Sequence, residues 1–221
     1  MAPRSDLSFE GFIEFQFGPA VRPRGNPWYF DVDADWWEPE PRTGIAYLTR
    51  LFSNGPEALQ WFSDVQIAQG LDGLVNTAVT GGLAWMVDPI TPAAERAGVW
   101  SAVARFFTAL LAPRCSSALG HLSEPGAPLN LRTYMWWDGF PPLTRGDEPG
   151  RGVIEDAELT CLEAVLAIES AACQEAALHG LGHFAPAERS TTIIDAYLER
   201  GQFARPELAA YARAARVGDI Q

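Results

Sequence analysis

The sequence predicts an all-α protein in which stacked helical hairpins, of the HEAT-like or α-α superhelix kind, follow an irregular N-terminal segment. Apolar residues recur at helical spacing from about residue 43 onward. The ranges 57–88 and 150–185 contain no proline, whereas prolines crowd the first 41 residues. We therefore divide the chain into residues 1–42, an aromatic and acidic segment packed on the core, and residues 43–221, a single all-helical domain.

The first element allows two interpretations. Phe9, Phe12, Ile13 and Phe17 share one face of a helix, whereas Ile13, Phe15 and Phe17 alternate as in a strand. We favour a short helix.

Residues 18–41 are predicted to be irregular and to wrap over the core by burying their aromatic rings. Asp31, Asp33 and Asp35 resemble the start of a calcium loop, but Trp36 stands where that loop requires glycine. The pattern therefore argues against calcium.

Two helices are predicted next. Ile45, Leu48 and Phe52 share a face of the first, which begins near residue 43. Ser63 and Gln66 have the spacing of a capping box, which predicts the start of the second.

A longer helix is predicted to follow Thr91 and Pro92, because proline is favoured at the first helical position. It is apolar over a wide arc as far as Pro113 and should be central. A short helix is predicted over 129–137 and a surface loop over 144–152, where turn-forming residues cluster.

Four helical patterns close the chain, and Leu159, Ala172, Ile193 and Leu208 mark them in order. Successive pairs begin about 32 to 35 residues apart, a period compatible with stacked helical hairpins.

The charge balance limits the kinds of partner. The chain has 28 acidic residues against 16 basic ones, a net charge of −12, and this disfavours nucleic acid, whose phosphates require clustered positive charge. A basic protein partner fits better, although the charge also has a simpler interpretation as an aid to solubility. All the basic residues are arginine, which is typical of a GC-rich bacterial genome.

The cysteines predict a reducing compartment. Cys115, Cys161 and Cys173 are odd in number and widely spaced, which favours reduced thiols and a cytoplasmic location. Residues 1–11 have no apolar signal region, and no apolar run is long enough to span a bilayer, so we expect no membrane association.

The segment Cys173 to His183 holds the most specific motif. Glu175, His179 and His183 are spaced by four, so a helix presents them on one face, where they could bind zinc or iron. No glutamate follows His179, so the general base of the H-E-x-x-H pattern is missing. The alternative, which we favour, is a helix face of small residues whose histidines form structural hydrogen bonds; on that basis no cofactor is predicted.

A second candidate site lies at the aromatic run Tyr134 to Asp138. Trp136, Trp137 and Asp138, together with His179 and His183, are candidate contacts for a partner or ligand, because tryptophans dominate many interfaces. Such runs are also typical of a protein core.

Several segments, including Cys173 to His183 (CQEAALHGLGH), Tyr134 to Asp138 and Pro206 to Tyr211, resemble an uncharacterised bacterial protein family with an S-A-L-H-G-L-G-H core. Ala176 and Ala177 stand where serine is common in that family. The resemblance implies a HEAT-like helical fold in a bacterial cytoplasm and no known activity.

The sequence contains neither a phosphate-binding glycine motif nor a nucleophile elbow. We therefore expect a non-enzymatic protein-interaction module, with an immunity-like role towards a basic protein as one form of it. The alternative is a metal-binding enzyme or sensor that uses Glu175, His179 and His183.

Overall fold

A computed structural model describes residues 7–22, 24, 26–31, 35–76, 81–139, 150–184 and 187–220. Within these ranges the regular structure is helical, with eleven α-helices and no β-strand, which confirms the all-α prediction. None of these helices is both long and apolar enough to cross a membrane.

The chain forms two compact units. The first comprises Met1–Val103 with Gly139–Ile154, and the second comprises Ala104–Asp138 with Glu155–Gln221. We describe each unit by itself.

The first unit contains the N-terminal helices. They are α1 (Phe9–Phe17), α2 (Pro41–Ser53), α3 (Gly55–Ala58), α4 (Asp64–Val75) and most of α5 (Ala93–Phe106), with 3-10 turns at Trp28–Phe30 and Gly82–Val87. Residues 9–17 are thus helical, as favoured from the sequence, and α2 begins at Pro41 rather than at residue 43.

Local hydrogen bonds explain where two of these helices begin. The Ser8 hydroxyl accepts a hydrogen bond from the Gly11 amide at the start of α1. Ser63 and Gln66 form the predicted capping box at the start of α4. The Gln16 side chain then joins the two helices, because its amide donates to the Gly70 carbonyl oxygen over 2.6 Å.

The aromatic segment that precedes α2 divides between core and solvent. Trp28, Tyr29 and Trp37 are buried, and the Trp37 ring stacks on Tyr47 with centroids 5.7 Å apart. Phe30 stays 54% exposed.

The long apolar helix is interrupted near its end. After α5 the chain forms a π-helical segment, Phe107–Leu111, and then the single turn α6 (Ala112–Arg114). The sequence predicts this helix and its end near Pro113, whereas the π segment has no local signal. In it, Phe107 stacks on Trp137 with ring centroids 6.0 Å apart.

The second unit is built around α9 (Ala171–His183), in which each residue from Ala171 to Gly182 is buried. The remaining helices of this unit are α7 (Asn130–Tyr134), most of α8 (Arg151–Leu166), α10 (Glu188–Arg200) and α11 (Leu208–Ala215). The four predicted C-terminal helices are all present. Their stacking as hairpins is not confirmed, because α9 makes its main helix contacts with α11 and α7.

The predicted loop over 144–152 lies largely outside the described residues. Gly150 has a positive φ of 87°, which suits a turn, and α8 already begins at Arg151.

Candidate metal centre

Three side chains meet on the second unit. His179 and His183 stand one helical turn apart on α9, and Asp138 lies in the 3-10 turn Trp137–Gly139 that follows α7. Each residue offers one ligand atom, and the three atoms all lie within 4.8 Å of one another. Because α7 packs on α9, the turn brings the carboxylate to the histidine pair.

The carboxylate holds both imidazoles. Oδ1 of Asp138 lies 3.1 Å from Nε2 of His179 and 2.7 Å from Nε2 of His183. Two atoms that ligate one tetrahedral metal ion at about 2.1 Å are about 3.4 Å apart. The three ligand atoms therefore need only small side-chain movements to surround an ion.

The cluster runs from the core to the surface. The His179 side chain is 3% exposed, Asp138 33% and His183 46%. An ion can enter from the solvent side, and water can complete its coordination there.

Two tyrosines, Tyr211 and Tyr134, form a hydrogen-bonded pair on the Nδ1 side of the His179 ring. Nδ1 of His179 lies 2.9 Å from the hydroxyl of Tyr211, which donates to the hydroxyl of Tyr134 over 3.4 Å. If Tyr211 donates to Tyr134, it accepts from Nδ1–H of His179. In that tautomer Nε2 carries no hydrogen and its lone pair can bind a metal ion, whereas in the other tautomer Nε2–H donates to Oδ1 of Asp138.

Burial favours the protonation state of His179 that can bind a metal ion. Loss of hydration lowers the pKa of His179, and the hydrogen bond and negative charge of Asp138 oppose that shift. The neutral imidazole, which is the form that binds metals, is therefore favoured.

Glu175, which the metal-binding alternative groups with the histidines, directs its carboxylate to other partners. Its side chain accepts hydrogen bonds from the backbone amides of Gly120 and His121, both over 2.9 Å, and Oε1 lies 2.5 Å from Nδ1 of His121. The structure therefore brings together His179, His183 and Asp138. The Glu175 carboxylate instead binds the backbone of the 3-10 turn Gly120–Leu122.

The Tyr211 side chain links the Glu175–His121 pair to the cluster of Asp138, His179 and His183. The His121 imidazole stacks on Tyr211 with centroids 4.1 Å apart and an angle of 14°. The buried Glu175 thus holds His121 against the tyrosine whose hydroxyl faces His179.

Trp136 and Trp137 are buried, at 3% and 5% exposure. Both rings contact Phe107. They anchor the two positions directly before Asp138, so the position of the carboxylate depends on this aromatic packing.

Cys173 is buried, which disfavours the reactive thiolate form of its side chain. Burial raises the pKa of its thiol to about 12, so the thiolate is scarcely populated at neutral pH.

The sequence predicts the histidine pair and groups Asp138 with it among the candidate ligand contacts, but its metal-binding alternative takes Glu175 rather than Asp138 as the carboxylate. Tyr211 and His121 were missed, because their contacts with the site join residues far apart in the chain and leave no local pattern.

Comparison with known proteins found no family model, no curated protein and no solved structure that matches this chain. The family resemblance drawn from short segments therefore stays a prediction.

Proposed function

We propose that this chain is a metal-binding protein whose centre consists of Asp138, His179 and His183. The observation that carries the proposal is the convergence of three ligand atoms, two imidazole and one carboxylate, within 4.8 Å. Carboxylate and imidazole groups this close are a common ligand set for transition metals.

The ligand set favours Zn²⁺ or Fe²⁺. Three protein ligands with an open side are typical of zinc sites that keep a water molecule, and two histidines with one carboxylate are typical of non-haem Fe²⁺ sites. Gly180 occupies the position at which zinc hydrolases of the H-E-x-x-H type carry their general base. The proposal therefore covers metal binding and sensing, and assigns no reaction.

The test is metal titration of protein expressed without a histidine tag. We expect one equivalent of Zn²⁺ to bind and to raise the melting temperature, since a ligand that binds only the folded state stabilises it. His183→Ala and Asp138→Asn should lose this binding. His183 is half exposed, so its replacement should leave the fold intact.

Two controls separate the proposed ligands from their neighbours. Glu175→Gln and His121→Asn remove the other carboxylate and the other imidazole of the region, and both should still bind one equivalent. Absence of stoichiometric binding by the wild type contradicts the proposal, and so does an equal loss of affinity in a folded Glu175→Gln variant.

A second function is supported by charge and exposed apolar surface. We propose that the protein also binds a basic protein partner, because its net charge is −12 and Trp61 is 85% exposed. Affinity capture at low salt should recover a basic protein that is released as salt rises. Recovery of no salt-sensitive partner contradicts this second function.

A cytoplasmic location is part of the same proposal. It is supported by the cysteines, since Cys115, Cys161 and Cys173 are all free thiols.

A further inference from the structure

A cleft of about 540 Å³ opens on the first unit, and no residue of the candidate metal centre lines it. Its lining includes Phe9, Ile13 and Glu14 of α1, together with Glu57 of α3 and Trp61 of the turn that follows. Its volume falls in the range of sites that bind ligands or peptide side chains.

Trp61 is exposed to an unusual degree for so large an apolar side chain. It is 85% exposed, whereas Trp28, Trp37, Trp85 and Trp100 of the same unit are each at most 7% exposed. Val65, near the start of α4, is also 45% exposed. Exposed indole rings at the edge of a cleft are typical of surfaces that a partner covers.

The charges in the cleft are unbalanced. Arg50, its basic residue, already forms an ion pair with Glu10 over 2.8 Å, and its guanidinium lies 3.9 Å from the Phe9 ring centroid. Glu14 and Glu57 are exposed and form no ion pair within the described part of the chain. Two unpaired carboxylates therefore flank an apolar floor.

We propose that this cleft docks a basic, partly apolar peptide segment of the partner protein. The inference rests on the second proposed function and names its surface. Arginine or lysine side chains of the segment pair with Glu14 and Glu57 and lie over the Trp61 ring, where a cation is attracted by the aromatic face. Apolar side chains of the segment fill the floor at Phe9 and Ile13.

The 85% exposure of Trp61 favours a peptide over a small molecule. A ligand confined to the cleft leaves most of the Trp61 ring in water, whereas a chain that crosses the cleft covers both the ring and the carboxylates.

The experiment uses two synthetic peptides of twelve residues, one alternating arginine and leucine and one alternating glutamate and leucine. Fluorescence anisotropy of the labelled peptides at low salt measures binding to the full-length protein. We expect the arginine peptide to bind and the glutamate peptide to fail. Trp61→Ala and the double variant Glu14→Gln/Glu57→Gln should each weaken binding about tenfold or more.

The matched control is Glu163→Gln/Glu199→Gln, which removes two exposed carboxylates from α8 and α10 and makes the same change in net charge. It should bind within about twofold of the wild type, since neither Glu163 nor Glu199 lines the cleft.

The outcomes separate this inference from the function on which it rests. If the wild type and the cleft variants bind the arginine peptide equally, the docking surface is wrong and the partner proposal stands. If the wild type does not bind the arginine peptide, both are contradicted. A wild-type dimer in sedimentation that Trp61→Ala abolishes makes a second copy the occupant and overturns the inference.

Discussion

The two ring nitrogens of His179 have different partners, and this difference assigns each nitrogen a separate role in the proposed metal centre. Nε2 faces Asp138 and His183, and Nδ1 faces the Tyr211 hydroxyl. A metal ion on Nε2 would fix the hydrogen on Nδ1, which would then donate to Tyr211. The tyrosine thereby positions the imidazole without touching the ion.

This arrangement predicts the effect of Tyr211→Phe. The variant removes the partner of Nδ1–H, so we expect Zn²⁺ affinity to fall about tenfold while one equivalent still binds. Tyr197→Phe is the control, because Tyr197 is also buried but donates its hydroxyl hydrogen to Gln174. Equal affinity of the two variants in calorimetric titration contradicts the positioning role.

Glu158 gives a second prediction at this scale. It is buried on α8, its Oε2 has no hydrogen-bond partner within the described residues, and burial raises its pKa to about 8. Its folded pKa thus exceeds its unfolded value, so the folded state holds a proton that the unfolded state has released. The penalty for burying Glu158 therefore grows as pH rises from about 4.5 to about 8.

Glu158→Gln removes that penalty, because an amide does not ionise. The difference in unfolding free energy between the variant and the wild type should therefore grow in favour of the variant, by about 3 kcal/mol from pH 5 to pH 8. Urea unfolding at both pH values measures this, with Glu163→Gln, an exposed site on the same helix, as control. If the difference in unfolding free energy between Glu158→Gln and the wild type does not change with pH, the raised pKa of Glu158 is contradicted.

At the scale of the element, α9 depends on its small residues. A Cβ at Gly180 would lie 2.6 Å from Leu162 and 2.7 Å from the Trp137 ring. Those contacts require glycine, so the glycine that weakens the helix locally allows α9 to approach its neighbours closely. The small-residue face predicted from the sequence has this physical basis.

Gly180→Ala should therefore destabilise the protein by about 1–3 kcal/mol, because overpacking outweighs the better helix propensity of alanine. Gly98→Ala is the matched control, since a Cβ at Gly98 of α5 meets nothing within 4 Å. That control should gain up to about 1 kcal/mol. If both variants gain stability in thermal unfolding, the close contact at Gly180 does not limit the packing of α9.

At the scale of the whole molecule, the sequence predicted the helices better than the site, and the reason is the range of the signals. The capping box at Ser63 and the spacing of His179 and His183 on α9 both depend on residues a few positions apart. Asp138 reaches His179 across 41 residues of chain, and this contact exists only because α7 packs on α9. Hairpin stacking likewise depends on long-range packing, and the order of helices did not determine it.

The most direct test of the metal centre is a crystal structure of the tag-free protein grown or soaked with Zn²⁺, with data collected at the zinc absorption edge. We expect one anomalous peak about 2.1 Å from Nε2 of His179, Nε2 of His183 and an oxygen of Asp138. A fully soaked crystal without a peak there, or with its strongest peak at His121 and Glu175, would contradict this expectation.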